Sequence, residues 1–291
     1  MIEKLKAISR AHPSEGSHKA WVKLRRDGIV INHKRVERLW KENGLTVPVI
    51  RRQRRRGKSL DRPIRALYPN HVWAYDFMED SCIHGRTLRI LNVVDEFHRE
   101  CYKSYVDYRM PAAQVIAVLD GLFAIHGVPA FLRSDNGPEF IAEAVQAWLK
   151  EQGVQTAYIE PGKPWQNGIN ENFNGQLRNA CLNAEVFVSL ADARWSVENY
   201  RRYFNTERPH GALGDLSPLQ FKQRWLMSHP DHPGALPPYP QDLSLMGSEQ
   251  GVKKRRPDGN VIPSGLCSEY RLTLRLRPRR AVSFSRSMNR I

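Results

Sequence analysis

The chain has 291 residues, with 45 Lys plus Arg against 30 Asp plus Glu and a net charge of +15. Its 41% hydrophobic content supplies a core and excludes global disorder, and no apolar run approaches the ~18 residues of a membrane span. Four scattered cysteines (Cys82, Cys101, Cys181, Cys267) without a CxxC pair exclude a disulfide scaffold and a cysteine zinc finger. MIEKLKAISR at the start has no apolar signal core, so an intracellular, cytoplasmic protein is expected. The charge is unevenly placed: net +13 over residues 1–70, −4 over 71–226 and +6 over 227–291. That division predicts a basic arm that holds a polyanion beside a body with another task.

Residues 1–48 read as short helices. The first clear one, 19–28, sets Trp21, Val22 and Leu24 among cations and stops at Gly28. Asn32 then caps 33–43, which ends at Gly44. In this segment Val36, Leu39 and Trp40 form one stripe, and Lys34, Arg35, Arg38 and Lys41 take the other side. A helix-turn-helix whose second helix enters a major groove is expected. Residues 49–66 form a basic linker holding Arg51, Arg52, Arg54, Arg55, Arg56 and Lys58. By default such a run is a solvated tract. If about five of its cations met phosphates, the log–log salt slope from it alone would be roughly −4 to −5.

Residues 67–226 predict an α/β domain. The stretches 71–78, 87–97 and 100–107 are rich in β-branched and aromatic residues and closely spaced, which predicts an antiparallel meander. Pro111 opens a helix over 112–127. Next come a strand ending on Asp135, a helix over 139–153, a strand over 154–160 and a loop over 161–168. Two further helices span 169–183 and 189–207. The order implies a mixed sheet with helices packed against it. Residues 227–291 turn Pro-rich and Arg-rich; no fold is assigned to this tail, and disorder is one reading.

Three acids stand out in the middle domain. Asp76 lies inside an apolar strand, Asp135 ends a strand before Asn136-Gly137-Pro138, and Glu171 lies in the first turn of a helix. A buried acid is costly unless paired or metal-bound. Three gathered carboxylates suit Mg²⁺ or Mn²⁺, and two such ions ~3.5–4 Å apart can activate a nucleophile and stabilise a leaving oxygen in phosphoryl transfer. Taken singly, each acid also has a plain structural reading as a strand acid, an Asx-turn residue or a helix N-terminal acid. Asp95 is a fourth candidate on pattern alone.

The blocks WAYDFMED, LNVVDEFHRE, SDNGPEF, PGKPWQNGINENFNGQLR and YFNTERPHGALG, in this order, resemble the integrase-like core of bacterial insertion-sequence transposases. More narrowly, they resemble the second-frame (OrfB) protein of the insertion sequence three family. The resemblance covers roughly residues 15–225. It implies an RNase H-like fold and a DDE triad of Asp76, Asp135 and Glu171 holding Mg²⁺ or Mn²⁺, with two ions expected. It leaves Asp95 outside the triad. The implied chemistry is hydrolysis at a transposon end, followed by attack of the freed 3′-OH on another phosphodiester, with no ATP and no covalent protein intermediate. DNA contacts are expected from Lys163, Trp165 and Asn167 in the loop and from Asn174 and Arg178, three and seven residues beyond Glu171. Asn205, Arg208, Pro209 and His210 match a block that closes the core, where a structural role is as well supported as DNA contact, and His210 is not read as a metal ligand.

Two departures qualify the match. The stretch HPSEGSHKAW lacks the Tyr-Gly-Tyr-Arg-like segment often carried there, and nothing resembles the leucine zipper of the upstream-frame (OrfA) protein. Implied partners are double-stranded DNA, further copies of the chain on that DNA, and such an upstream-frame protein. A catalytically silent DNA-binding accessory or remnant is the alternative, and an RNase H-type nuclease shares the fold.

Overall fold

Three helices open the chain in the computed structural model, α1 (Ile2–Ala11), α2 (Ser17–Arg26) and α3 (His33–Glu42). The described residues are 1–47, 64–134, 139–158, 168–230 and 232, all within one unit, Met1–Leu236. Arg51, Arg52, Arg54, Arg55 and Arg56 lie outside them, as does nearly all of the tail. Leu5, Ala20, Leu24, Val36 and Trp40 bury a small core between the three helices. Gly28 (φ +78°) ends α2 by letting the Ile29 N–H reach the Leu24 carbonyl at 2.9 Å. Gly44 (φ +65°) does the same for α3, with Leu45 N–H donating to Trp40 at 3.0 Å. The Asn32 side chain accepts from the Lys34 N–H and caps α3. With Val36 and Trp40 turned inward, Lys34, Arg35, Arg38 and Lys41 are left exposed.

The sheet that follows in the same unit has, among the described residues, five strands in the order β3-β2-β1-β4-β5. Strands β1 (Val72–Ser81), β2 (Thr87–Asp95) and β3 (Cys101–Asp107) form the expected antiparallel meander. Strands β4 (Phe131–Ser134) and β5 (Gln155–Tyr158) extend it in parallel from β1. Successive side chains on a strand point to opposite faces. Trp73, Tyr75, Leu91 and Val93 therefore pack against α4 (Ala112–His126) and α5 (Glu139–Glu151). Met78, Ile90 and Val94 pack on the other face against α6 (Gly168–Ala180) and α7 (Leu190–Thr206). This is an RNase H-like arrangement, a mixed sheet between helical layers. No described helix is long and apolar enough to cross a membrane.

The sequence reading names no helix after residue 207, and the structure adds α8 (Pro218–Ser228). Its signal is local: Ser217 and Gln220 cap it reciprocally, and Pro218 occupies the first turn. Lys222 of α8 reaches Glu100 at 3.0 Å, and Glu100 in turn bonds His98 Nε2 at 2.8 Å. The other ring nitrogen of His98 lies 2.9 Å from Asp95. Burial disfavours every charge in this group. The two carboxylates nevertheless raise the His98 pKa above its ordinary value, and His98 with Lys222 holds Glu100 well below the carboxylate range.

A second buried charge joins the helical unit to the core. Glu15, 2% exposed, lies 2.8 Å from Lys23 Nζ and 3.4 Å from Arg208 Nε, and the Tyr203 hydroxyl donates to it at 2.7 Å. Around it, His12 stacks on Tyr203, His18 pairs with Asp215 at 3.0 Å, and Arg26 donates to the carbonyls of Glu207 and Asp215. Removing one partner of a buried ion cluster leaves the others uncompensated. Glu15→Ala should therefore destabilise the chain by about 3 kcal/mol or more in urea denaturation. Glu3→Ala, which removes an exposed pair with Lys6, should cost under about 1 kcal/mol.

Candidate active site

Asp76 sits in the central strand, in register with Asn92 of β2, on the sheet face that α6 and α7 cover. The Phe77 N–H donates to Asp76 Oδ1 at 2.8 Å. Phe173 and Leu177 anchor α6 in the core below, which sets the rest of that helix against the strand. Glu171 stands exposed in the first turn of α6. One turn further on, Asn174 Nδ2 donates to Asp76 Oδ2 at 2.8 Å, and Asn174 Oδ1 accepts from Asn92 Nδ2 at 2.8 Å. The helix carrying Glu171 is thus bonded directly to the strand carrying Asp76.

Asp135 follows β4 immediately and lies outside the described residues, as do Lys163, Trp165 and Asn167. Just before it, Arg133 is buried and pairs with both oxygens of Glu96, at 2.8 and 2.9 Å. Burial pushes the Glu96 carboxyl up to about 7 despite that arginine. Arg178 is exposed and donates to the Glu79 carbonyl at 2.8 Å. Asn174, expected at DNA, has its amide turned inward between Asp76 and Asn92.

The other candidates resolve into supports. Asp95 is fully buried and accepts from the N–H groups of Asn70 and Phe97 at 2.7 and 2.8 Å. Burial alone would raise its pKa, but His98 and these donors bring it below the ordinary value. Asn205 exchanges both its amide hydrogen bonds with the backbone of Cys101, at 2.9 and 2.8 Å. Arg208 is buried at Glu15, so Asn205 and Arg208 of the closing block each tie elements together. Sequence reasoning missed Asn92 and Asn170, which are wholly buried beneath the site. Their signal was a bare amide inside an apolar strand and another beside the helical acid.

Chemically, Asp76 and Glu171 offer hard carboxylate oxygens, the donor type that Mg²⁺ and Mn²⁺ take, so the residues present fit a divalent ion. Among the described residues no group of three or more His, Cys, Asp or Glu is gathered for a metal. Burial pushes the Cys101 and Cys181 thiols up to about 12, which disfavours these two as nucleophiles.

Comparison with known proteins gives three family matches: an HTH-like domain over residues 1–54 and an integrase core domain over 66–164 and again over 152–218. An uncharacterized 31.7 kDa protein of insertion element IS407 from Burkholderia multivorans is 40% identical over 200 residues, 68% of this chain and 72% of that protein. An uncharacterized 39.2 kDa protein of IS476 from Xanthomonas euvesicatoria is 36% identical over 218 residues, 75% of this chain. The match spans 63% of that longer relative. The transposase of IS904 from Lactococcus lactis is 28% identical over 237 residues, 77% of this chain and 93% of that protein. Among solved structures, the HTLV-2 integrase catalytic core domain in complex with magnesium aligns with a TM-score of 0.43 and 18% identity, covering 54% of this chain and 99% of that one.

His210, read as no metal ligand, is buried edge-on against Phe204. Burial, then Arg208 and Lys19, lowers its pKa from 6.5 to about 3. Below pH 6.5 the unfolded chain takes up a proton that the folded chain refuses, so stability is lost as pH falls toward 3. Between pH 7.5 and 5 the wild type should lose roughly 2 kcal/mol more than His210→Gln in paired denaturation curves.

Proposed function

The chain belongs to the integrase-core transposases of bacterial insertion elements, of the OrfB type of the insertion sequence three family, and on that premise we propose that it cuts and joins DNA at insertion-sequence ends by DDE-type phosphoryl transfer. The observation that carries this reading is the bond from Asn174 to Asp76. It ties the helix of Glu171 to the central strand of an RNase H-like sheet. Asp76, Asp135 and Glu171 are the residues that would hold the metal, two Mg²⁺ or Mn²⁺ ions. When bound, such ions activate the attacking oxygen and stabilise the leaving one. The chain's own residues position and exclude: Asn174 fixes one oxygen of Asp76, and the sheet and α6 keep the acid's inner side dry.

Recognition is assigned to the basic arm. The exposed Lys34, Arg35, Arg38 and Lys41 face outward from α3, in keeping with a helix laid in a major groove. Arg51, Arg52, Arg54, Arg55 and Arg56 would add phosphate contacts, and Lys163, Trp165, Asn167 and Arg178 would lie along the end being cut. The proposed division is 1–48 for recognition, 49–66 as linker, 67–226 for catalysis and 227–291 as a tail of unassigned role. Joining two ends calls for several copies on DNA, in the cytoplasm at the nucleoid, and an upstream-frame protein is a proposed partner.

The test is nicking and strand joining on labelled end DNA with Mg²⁺, Mn²⁺ or EDTA. Asp76→Asn and Glu171→Gln should each lower product by roughly 10³-fold or more while end binding is retained. Binding by the wild type without metal-dependent product would instead favour the silent accessory. Arg38→Ala should lower the log–log salt slope of binding by roughly 1 with cutting chemistry intact on bound DNA.

A further inference from the structure

We propose that Asn92 is a positioning residue: it holds the Asn174 amide by its oxygen, and so keeps the Asn174 N–H in place against Asp76. The proposal rests on the reading of Asp76 as a metal-holding carboxylate. A carboxylate only accepts, whereas an amide presents a donor on one side and an acceptor on the other and exchanges them by a half-turn of its last torsion. At Asp76 the productive orientation is Asn174 Nδ2 toward Oδ2, at 2.8 Å. That orientation sends Asn174 Oδ1 inward, where it needs a donor.

Asn92 is that donor, with its Nδ2 2.8 Å from Asn174 Oδ1. It lies opposite Asp76 in the β1–β2 register and is wholly buried, while Asn174 is half-buried. The same NH₂ group lies 3.3 Å from Met78 Sδ, which uses its second hydrogen. Its Oδ1 is buried without a partner among the described residues. A sheet that keeps such an orphan acceptor does so at a standing cost. An apolar side chain of similar size beside Ile90, Val94 and Met78 would remove the cost. It would also leave the Asn174 oxygen without its donor, so the amide would be held from one side only and its bond to Asp76 would loosen. The NH₂ of Asn92 is what the apolar side chain lacks.

The test measures Mn²⁺ affinity by calorimetry on the full chain, with thermal melting in parallel. Wild type is compared with Asn92→Leu, Asn92→Ala, Asn174→Ala and the double variant Asn92→Leu/Asn174→Ala. Each Asn92 variant should melt cooperatively yet bind Mn²⁺ about 10–100-fold more weakly, the usual effect of losing a group behind a metal ligand. The double variant should bind within roughly 3-fold of Asn174→Ala, because Asn92 acts only through Asn174. Wild-type affinity in the Asn92 variants would overturn the proposal, as would a double variant whose loss equals the product of the single losses. Loss of the cooperative melt in both Asn92 variants would assign the residue to packing and also overturn it. A wild-type chain that binds no Mn²⁺ overturns the reading of Asp76 as a metal-holding carboxylate, and this proposal falls with it.

Discussion

The alternation of side chains along β1 is the constraint on which the rest of the molecule depends. Trp73, Tyr75 and Phe77 turn to one face of the sheet, where α4 and α5 bury them. Ala74, Asp76 and Met78 turn to the other. β2 pairs with β1 along its length but β4 only over Val72–Ala74, so the half-buried Asp76 lies just past the end of β4, its charge set against the sheet. Its relief comes from neighbours fixed by the same pleat: Asn92 across the register and Asn174 on the helix above. A slip of one residue between β1 and β2 would exchange the two faces and set Asp76 among the aromatic rings of the α4 side. Core packing and the placement of the candidate site are therefore one problem with one solution.

Two of the interior charge clusters among the described residues join elements distant in sequence. Glu15 gathers Lys23, Tyr203 and Arg208, and Glu100 gathers His98 and Lys222. Apolar contacts are non-directional and tolerate sliding, whereas a desolvated ion pair loses heavily when displaced. The helical unit and α8 are thus held in one orientation on the core. The surface pairs on α3, Lys41 with Glu37 and Arg38 with Glu42, are exposed and contribute little to this.

Much of the architecture was legible because its signals are local. Gly28 and Gly44 end helices for a conformational reason visible in the residue itself, and Asn32 caps where an amide should. The strands showed through β-branched and aromatic runs. The Ser217–Gln220 capping box was equally local, so α8 was a missed signal and not a hidden one. Glu15 was hidden. Its partners Tyr203 and Arg208 lie at the far end of the domain in sequence, and no short pattern announces such a pairing. Asn92 was hidden differently, since a single amide in LNVVDEF looks like a tolerated interruption until the register places it opposite Asp76. Asp76 and Glu171 were read from spacing and family likeness, and the Asn174 bond between their elements emerges only in three dimensions.

The docking of α2 fixes how α3 stands relative to the sheet. One side of α2 packs its apolar residues on α3, while its polar side, through Lys23 and Arg26, is fastened to the core. The orientation of α3 relative to β1 is therefore set through a stiff bracket. On a DNA helix, with its fixed rise and turn, a bracket of this kind works as a gauge. If α3 lies in a groove as proposed, the strand carrying Asp76 would fall at a set number of steps along the duplex and on a set side of it.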